Sequence, residues 1–226
     1  MKIIIKRCKR EEYIKAWNYM YKNDKTWFNS DLYDGVNPSL NKKPLSTETD
    51  NFCVVAYDSE INCIEAGFEF GLPVGIFSFV VTPRQIIGKQ YVVGGEEYLG
   101  KGIGRAILLE NEKNLLDNGF EKYYIGCSHC SAGIYRKHFN IEPYSSDEEH
   151  DLYKFNIDLK RDNFEELYRK NIIENDLIIS VIDENGEKII DKNDKVEVKY
   201  DYKPKNKKYL KKKKKEKIEA KKKNKK

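Results

Sequence analysis

The sequence predicts an α/β (α+β) fold, and three observations predict it. Short runs rich in Ile, Val, Phe and Tyr alternate along the chain with segments whose apolar residues fall at helical spacing. One apolar run, Tyr91-Val92-Val93, feeds a glycine-rich stretch, Leu99-Gly100-Lys101-Gly102-Ile103-Gly104-Arg105, that opens a long amphipathic segment. Near the C-terminus a helix-start pattern is followed by apolar runs flanking Glu184-Asn185-Gly186-Glu187, a hairpin turn in which Asn-Gly accepts the positive φ angles required.

Taken in order, residues 2–8 read as a strand and residues 10–21 as a helix, with Tyr13, Ile14, Trp17, Met20 and Tyr21 on one side. Residues 22–50 hold Trp27, Phe28, Leu32 and Tyr33, then Asp34-Gly35 and Asn37-Pro38, and read as a short second helix and a loop. Residues 52–57 form a strand that ends at Asp58-Ser59-Glu60. Residues 61–70 fit either a helix or a strand. Strands at 73–81, stopped by Thr82-Pro83, and at 86–93 lead into the glycine loop. The long helix, Ala106 to Leu116, ends at Asn118-Gly119. A strand at 120–127, a helix at 131–139 and an alternating strand at 151–159 complete a first unit of residues 1–160. In a second unit, 161–202, Asp162-Asn163-Phe164-Glu165 starts a helix ending near Lys170, and strands follow at 177–182, 188–190 and 196–200. That unit is too short for its own core and is expected to dock on the first.

Composition separates body from tail. The chain has 226 residues and net charge +5. The stretch from Lys203 to Lys226 holds fifteen Lys and two Glu, hence +13, which leaves −8 on the body. The tail has too little apolar surface to offset chain entropy and is expected to be disordered. A basic tail attracts nucleic acid or another polyanion, against the plain alternative of a solubilising extension. No apolar run approaches the roughly 20 residues that cross a bilayer, and the first residues lack a signal-peptide core, so no membrane association and a cytoplasmic location are expected. The five cysteines, Cys8, Cys53, Cys63, Cys127 and Cys130, are odd in number and scattered, consistent with reduced thiols.

The glycine stretch has the chemistry of an anion cradle. Glycines let backbone approach a ligand, and the first N–H groups of a helix have no internal partner. A phosphate there gains those donors and the positive end of the helix dipole. The P-loop and dinucleotide patterns do not fit, because no Gly-Lys-Ser/Thr follows and no glycine stands three residues after Gly102. Glu97-Tyr98-Leu99-Gly100-Lys101-Gly102-Ile103-Gly104 instead resembles the acetyl-CoA pyrophosphate loop of the GNAT superfamily of N-acetyltransferases, Q/R-x-x-G-x-G/A, with Leu99 where Arg or Gln is usual. Ser131-Ala132-Gly133-Ile134-Tyr135-Arg136-Lys137-His138-Phe139 resembles a second segment of the same superfamily, with Ile134-Tyr135 on its Leu-Tyr pair and Ser128 where it has Asn.

The resemblance covers about residues 1–160. It implies a mixed, mostly antiparallel central sheet flanked by helices, to which a small C-terminal helix and β-meander are added. It implies acetyl-CoA as co-substrate, bound by Val92, Val93, Gly94, Leu99, Gly100, Lys101, Gly102, Ile103, Gly104, Arg105 and Ser128. The thioester oxygen would lie near backbone N–H groups around Val92 to Gly94. Tyr135 would protonate the departing thiolate, a transfer that suits a phenol of pKa around 10; the alternative is a core tyrosine. Candidate bases for a primary amine acceptor are Glu96, Glu97, Glu65, Glu69 and His129, and the sequence does not choose among them. Residues 22–50 would border the acceptor site.

Cys127-Ser128-His129-Cys130 has C-x-x-C spacing but no second close pair, so no metal is expected. A redox or nucleophilic role for Cys127 or His129 has no support in spacing. The expected activity is acetyl transfer from acetyl-CoA to a primary amine of a small molecule or peptide, and the acidic body favours a cationic acceptor. Two rivals stand beside it. One is a non-catalytic module of the same fold that uses its basic tail on nucleic acid or the ribosome. The other is modification of the tail lysines in cis.

Overall fold

Strand alternation sorts the first strands onto two faces, and each face takes one long helix. The computed structural model describes residues 1–23, 50–81 and 85–191. In β1 (Lys2–Cys8), Ile3 and Ile5 face one hydrophobic cluster, while Cys8 lies in the other, with Ile4 packed against it. In β2 (Asp50–Asp58), Val54 and Ala56 take the first side, and Cys53, Val55 and Tyr57 the second. The second cluster is closed by α1 (Arg10–Asn23) through Tyr13, Ala16, Trp17 and Met20. The first is closed by α2 (Ile103–Asp117), which buries Ile103, Ala106, Ile107, Leu109 and Leu115 completely.

The remaining elements are β3 (Leu72–Val81), β4 (Ile86–Val93), β5 (Lys122–Cys127), α3 (His129–Gly133), β6 (Ser145–Asp147), β7 (Leu152–Asp158), α4 (Phe164–Tyr168), β8 (Ile178–Ile182) and β9 (Lys188–Asp191). One nine-stranded sheet runs in the order β6-β7-β5-β4-β3-β2-β1-β8-β9. The pairs β4–β5 and β1–β8 are parallel and the others antiparallel, so the sheet is mixed and mostly antiparallel. Strands β8 and β9 extend this sheet through β1, and their turn has Gly186 at φ +84°.

Several elements differ from expectation. Residues 61–70 are neither helix nor strand: a 3₁₀ turn, Ile64–Ala66, is closed by a Cys63–Phe68 bridge. The three-residue β6 is too short and polar to show a strand pattern. Both α3 and α4 continue as π-helical turns, Ile134–His138 and Arg169–Ile173, which periodicity at 3.6 residues does not register. The expected second helix and loop at 22–50 lie, but for their ends, outside the described residues. The strand at 196–200 and the tail lie wholly outside them.

The long helix is not simply amphipathic. Glu110 and Glu112 are fully buried on it, and each is neutralised in place. The Arg7 Nε donates to Glu110 at 2.6 Å, and the Tyr168 hydroxyl donates to the same carboxylate. Arg161 donates to Glu112 at 2.5 Å and the Tyr123 hydroxyl at 2.6 Å. Burial works against both guanidinium cations, but Glu110 and Asp117 outweigh it at Arg7, and Glu112 outweighs it at Arg161, so both stay firmly protonated. Removing one partner of such a pair strands a buried charge. Arg161→Ala should therefore lower stability by about 3 kcal/mol in urea unfolding at unchanged m. Replacing Arg161 and Glu112 together by Leu should recover most of that loss. A single-variant cost below about 1 kcal/mol would mean that the pair is not sealed from water.

Candidate active site

The site begins where two parallel neighbours part. β4 and β5 share one registered pair, Ile87 with Tyr124. One residue on, a Cβ at Gly88 would stand 2.8 Å from Ile125 Cδ1, so only glycine leaves Ile125 its place. Beyond that point β4 stays paired with β3 alone. Ser78 pairs with Lys89 and Ile76 with Val92, so β4 carries one extra residue, a bulge that increases local twist. Gly75 pairs with Val93, and the Gly94 N–H donates to Val74 O at 3.0 Å. Antiparallel alternation then turns the Val92 N–H toward β3 as well and leaves the Val93 N–H on the β5 side. Of the amides expected to serve the thioester oxygen, Gly94 is thus committed to β3, and Val93 is the one that faces the gap.

The glycine loop follows at the same end of the sheet. A 3₁₀ turn, Glu96–Tyr98, is held by Tyr98 N–H to Gly95 O at 3.1 Å. The buried Tyr98 ring passes its hydroxyl to Asp58 Oδ2 at 3.1 Å, which fastens the loop to the end of β2. Burial and the facing Asp58 carboxylate push the Tyr98 phenol well above its usual range, so it stays a donor. Leu99 is extended and 45% exposed, and Lys101 is exposed. Gly100 and Gly102 take φ of +72° and +86°, which side-chain-bearing residues rarely adopt. Ile103 is fully buried and anchors the helix start, while Gly104 and Arg105 are half-buried.

These residues fit a diphosphate. A Cβ at Gly100 would meet nothing within 4 Å, so there is open space over the loop. No side chain caps α2, because its N-cap is Gly102. The first-turn amides of a 15-residue helix therefore have no capping side chain in front of them.

Across the gap stands the end of β5. Cys127 leads to Ser128, which is extended and caps α3 only through its carbonyl, bonded by Ala132 N–H at 2.9 Å. The side-chain cap comes from elsewhere: Asp151, at φ +47°, accepts the His129 N–H at 2.8 Å. Asp151 had no sequence signal, because its partner lies 22 residues away. Tyr135 is 3% exposed, stacked on Phe155 at 4.8 Å and edge-on to Phe139 at 5.9 Å. Cys127 is pushed up to about 12, chiefly by burial and further by Asp151 against Arg136, so its thiol is not a nucleophile near neutral pH.

The candidate bases separate. Glu96 and Glu97 are exposed on the turn beside the loop, and His129 is exposed at the start of α3. Glu65 and Glu69 are exposed on the 61–70 segment, and Glu69 lines a separate cavity of about 450 Å³ with Lys6, Glu12, Tyr57 and Phe68. Among the described residues, no three His, Cys, Asp or Glu gather as a metal site, and no helix is long and apolar enough to cross a membrane.

No protein-family model and no curated protein matches the chain. Among solved structures, a GNAT-family acetyltransferase from Staphylococcus aureus superimposes at a TM-score of 0.50 and 15% identity, over 70% of this chain and 99% of that one. A PaiA N-acetyltransferase from Thermoplasma acidophilum, in complex with coenzyme A, matches at 0.46 and 17%, over 70% and 99%. The Staphylococcus aureus superposition shows that the chain has the GNAT fold.

A thiol ionising at about 12 is only ~10⁻⁴ thiolate at pH 8. Iodoacetamide should therefore label Cys127 roughly 100-fold or more slowly in the folded chain than in urea, the site being read by peptide mass. Equal rates would place Cys127 in a solvated, activated setting.

Proposed function

We propose that this chain transfers an acetyl group from acetyl-coenzyme A to a primary amine. The observation that carries the reading is the coincidence, at one sheet end, of a parting β4–β5 pair and an uncapped helix start behind Gly100 and Gly102. One opening admits a slender arm between strands and the other takes a diphosphate. Acetyl-coenzyme A needs both and supplies the activated acyl group as a thioester.

The chain's own residues then have distinct roles. Gly100 to Arg105 hold phosphate oxygens with main-chain hydrogens at the positive helix end. Tyr98, tied to Asp58, holds that loop to the end of β2. The Val93 N–H faces the gap and polarises the carbonyl oxygen without reorganising. Ser128, at the far wall, borders the arm. Tyr135 is the nominated proton donor to the departing sulfur, its ring packed on Phe155 and Phe139. Glu96 and Glu97, on the turn before the loop, and His129, at the start of α3, are the candidates to take the ammonium proton. The −8 charge of the body favours a cationic acceptor.

Coenzyme A at saturation should raise the melting temperature by about 5 °C. Acetyl-coenzyme A with an amine panel should release free thiol. Tyr135→Phe should keep the melting shift and lose ~10- to 100-fold in kcat. No shift with coenzyme A would end the reading, and an unchanged kcat would remove Tyr135 from it.

A further inference from the structure

A cavity of about 450 Å³ opens between the start of α1 and the 61–70 segment, over β1 and β2. That is the size of a small-ligand pocket. Its buried lining residues Tyr57 and Phe68 belong to the cluster that α1 closes, so it lies across the sheet from α2.

Most of the charge in the wall is spent on building the wall. Lys6 is 7% exposed, gives its Nζ to both Glu12 oxygens at 3.1 and 2.8 Å, and lies 4.6 Å from the Phe70 ring centre. The Tyr57 hydroxyl donates to the same carboxylate at 2.8 Å. Lys15 donates to Gly67 O at 2.6 Å and stands 4.8 Å from the Phe68 ring centre, which ties the 61–70 segment to α1. Glu12 and both ammonium groups are therefore committed. Two lining carboxylates are not: Glu11 and Glu69 are exposed and make no hydrogen bond or ion pair among the described residues.

Three carboxylates against two ammonium groups leave the lining with one negative charge in excess. That sign disfavours an anion. A metal ion is not served either, because among the described residues no three carboxylate, imidazole or thiol groups gather to hold one. The remaining lining is apolar, with Phe68 and Phe70 inside and Ile64, 64% exposed, on the rim. A cation on a short alkyl chain meets each of these properties, since its head is drawn to carboxylates and its chain covers exposed apolar surface.

We infer that this cavity is a binding site for a primary alkylammonium, with Glu11 and Glu69 taking the charged head and Ile64 and Phe68 the chain. The site is separate from the cofactor cradle and does not depend on the chain binding coenzyme A. Glu69, a candidate base in the sequence, is here a recognition residue.

Amide chemical shifts of the full chain, titrated with hexylamine, test this. Binding with a Kd of about 1 mM should move the amides of Glu11 to Lys15 and of Gly67 to Phe70. Hexanol and hexanoate, equal in length and without the positive charge, should bind roughly tenfold more weakly. Glu69→Gln should weaken hexylamine roughly threefold at low salt, and the double variant Glu11→Gln, Glu69→Gln roughly tenfold, with both losses shrinking as salt is added. Both glutamates are exposed and unbonded, so circular dichroism should show the variants folded. Stationary amides at Glu11 to Lys15 and Gly67 to Phe70 up to about 10 mM hexylamine would overturn the inference. So would equal binding of hexanol, or an affinity for hexylamine unchanged in the double variant.

Discussion

Two carboxylates on one helix hold this molecule together. Glu110 and Glu112 are completely buried, where an unpaired carboxylate costs several kcal/mol. Each therefore demands a cation and a phenol, and the four partners come from four different places: Arg7 of β1, Tyr123 of β5, Arg161 after β7, and Tyr168 of α4. Apolar contacts alone would allow α2 to slide or rotate on the sheet. Directional hydrogen bonds to fixed guanidinium and hydroxyl groups allow one setting. That setting aims the start of α2, and hence the amides behind Gly100 and Gly102, at the space over the sheet end.

The second constraint is in the sheet. β4 is bonded to β3 through a bulge and to β5 at a single pair, so its far end belongs to one neighbour only. Alternation along a strand then divides the amides. Gly94 is spent on Val74, and Val93 is turned to the open side. The Tyr98–Asp58 bond joins the two constraints, because it ties the loop that starts α2 to the end of β2. At both places the side chains fix where the main chain lies.

Much of this was legible in the residues. Gly100 and Gly102 marked a loop where backbone can approach a ligand, and the structure gives both a positive φ. Asn118-Gly119 ended α2 where expected, with Gly119 at φ +87°. The alternating pattern of β7 also came through, and the chain turns at 184–187 as expected, but with positive φ at Gly186 and not at Asn185. What was not legible involves partners far apart in sequence. Glu110 and Glu112 look like surface acids on a helix until Arg7 and Arg161 are brought 103 and 49 residues across to them. Asp151 as the cap of α3 is hidden for the same reason. The segment 61–70 defeated pattern reading because its 3₁₀ turn and single bridge follow neither period. A usable hint lay in Phe164, Tyr168 and Ile172: an apolar stripe on so short a helix needed a surface, and α2 was the one available.

On the proposed function, main-chain hydrogens at the start of α2 grip an anion while the β4–β5 gap takes the rest of the molecule. Amide chemical shifts report that grip residue by residue. Titration of coenzyme A into the labelled chain should move the Gly100 to Arg105 amides and the Val93 amide most, with the amides of β8 and β9 unmoved. Binding that shifts residues lining the cavity beside Lys6, Tyr57 and Phe68, and leaves Gly100 to Arg105 still, would contradict it.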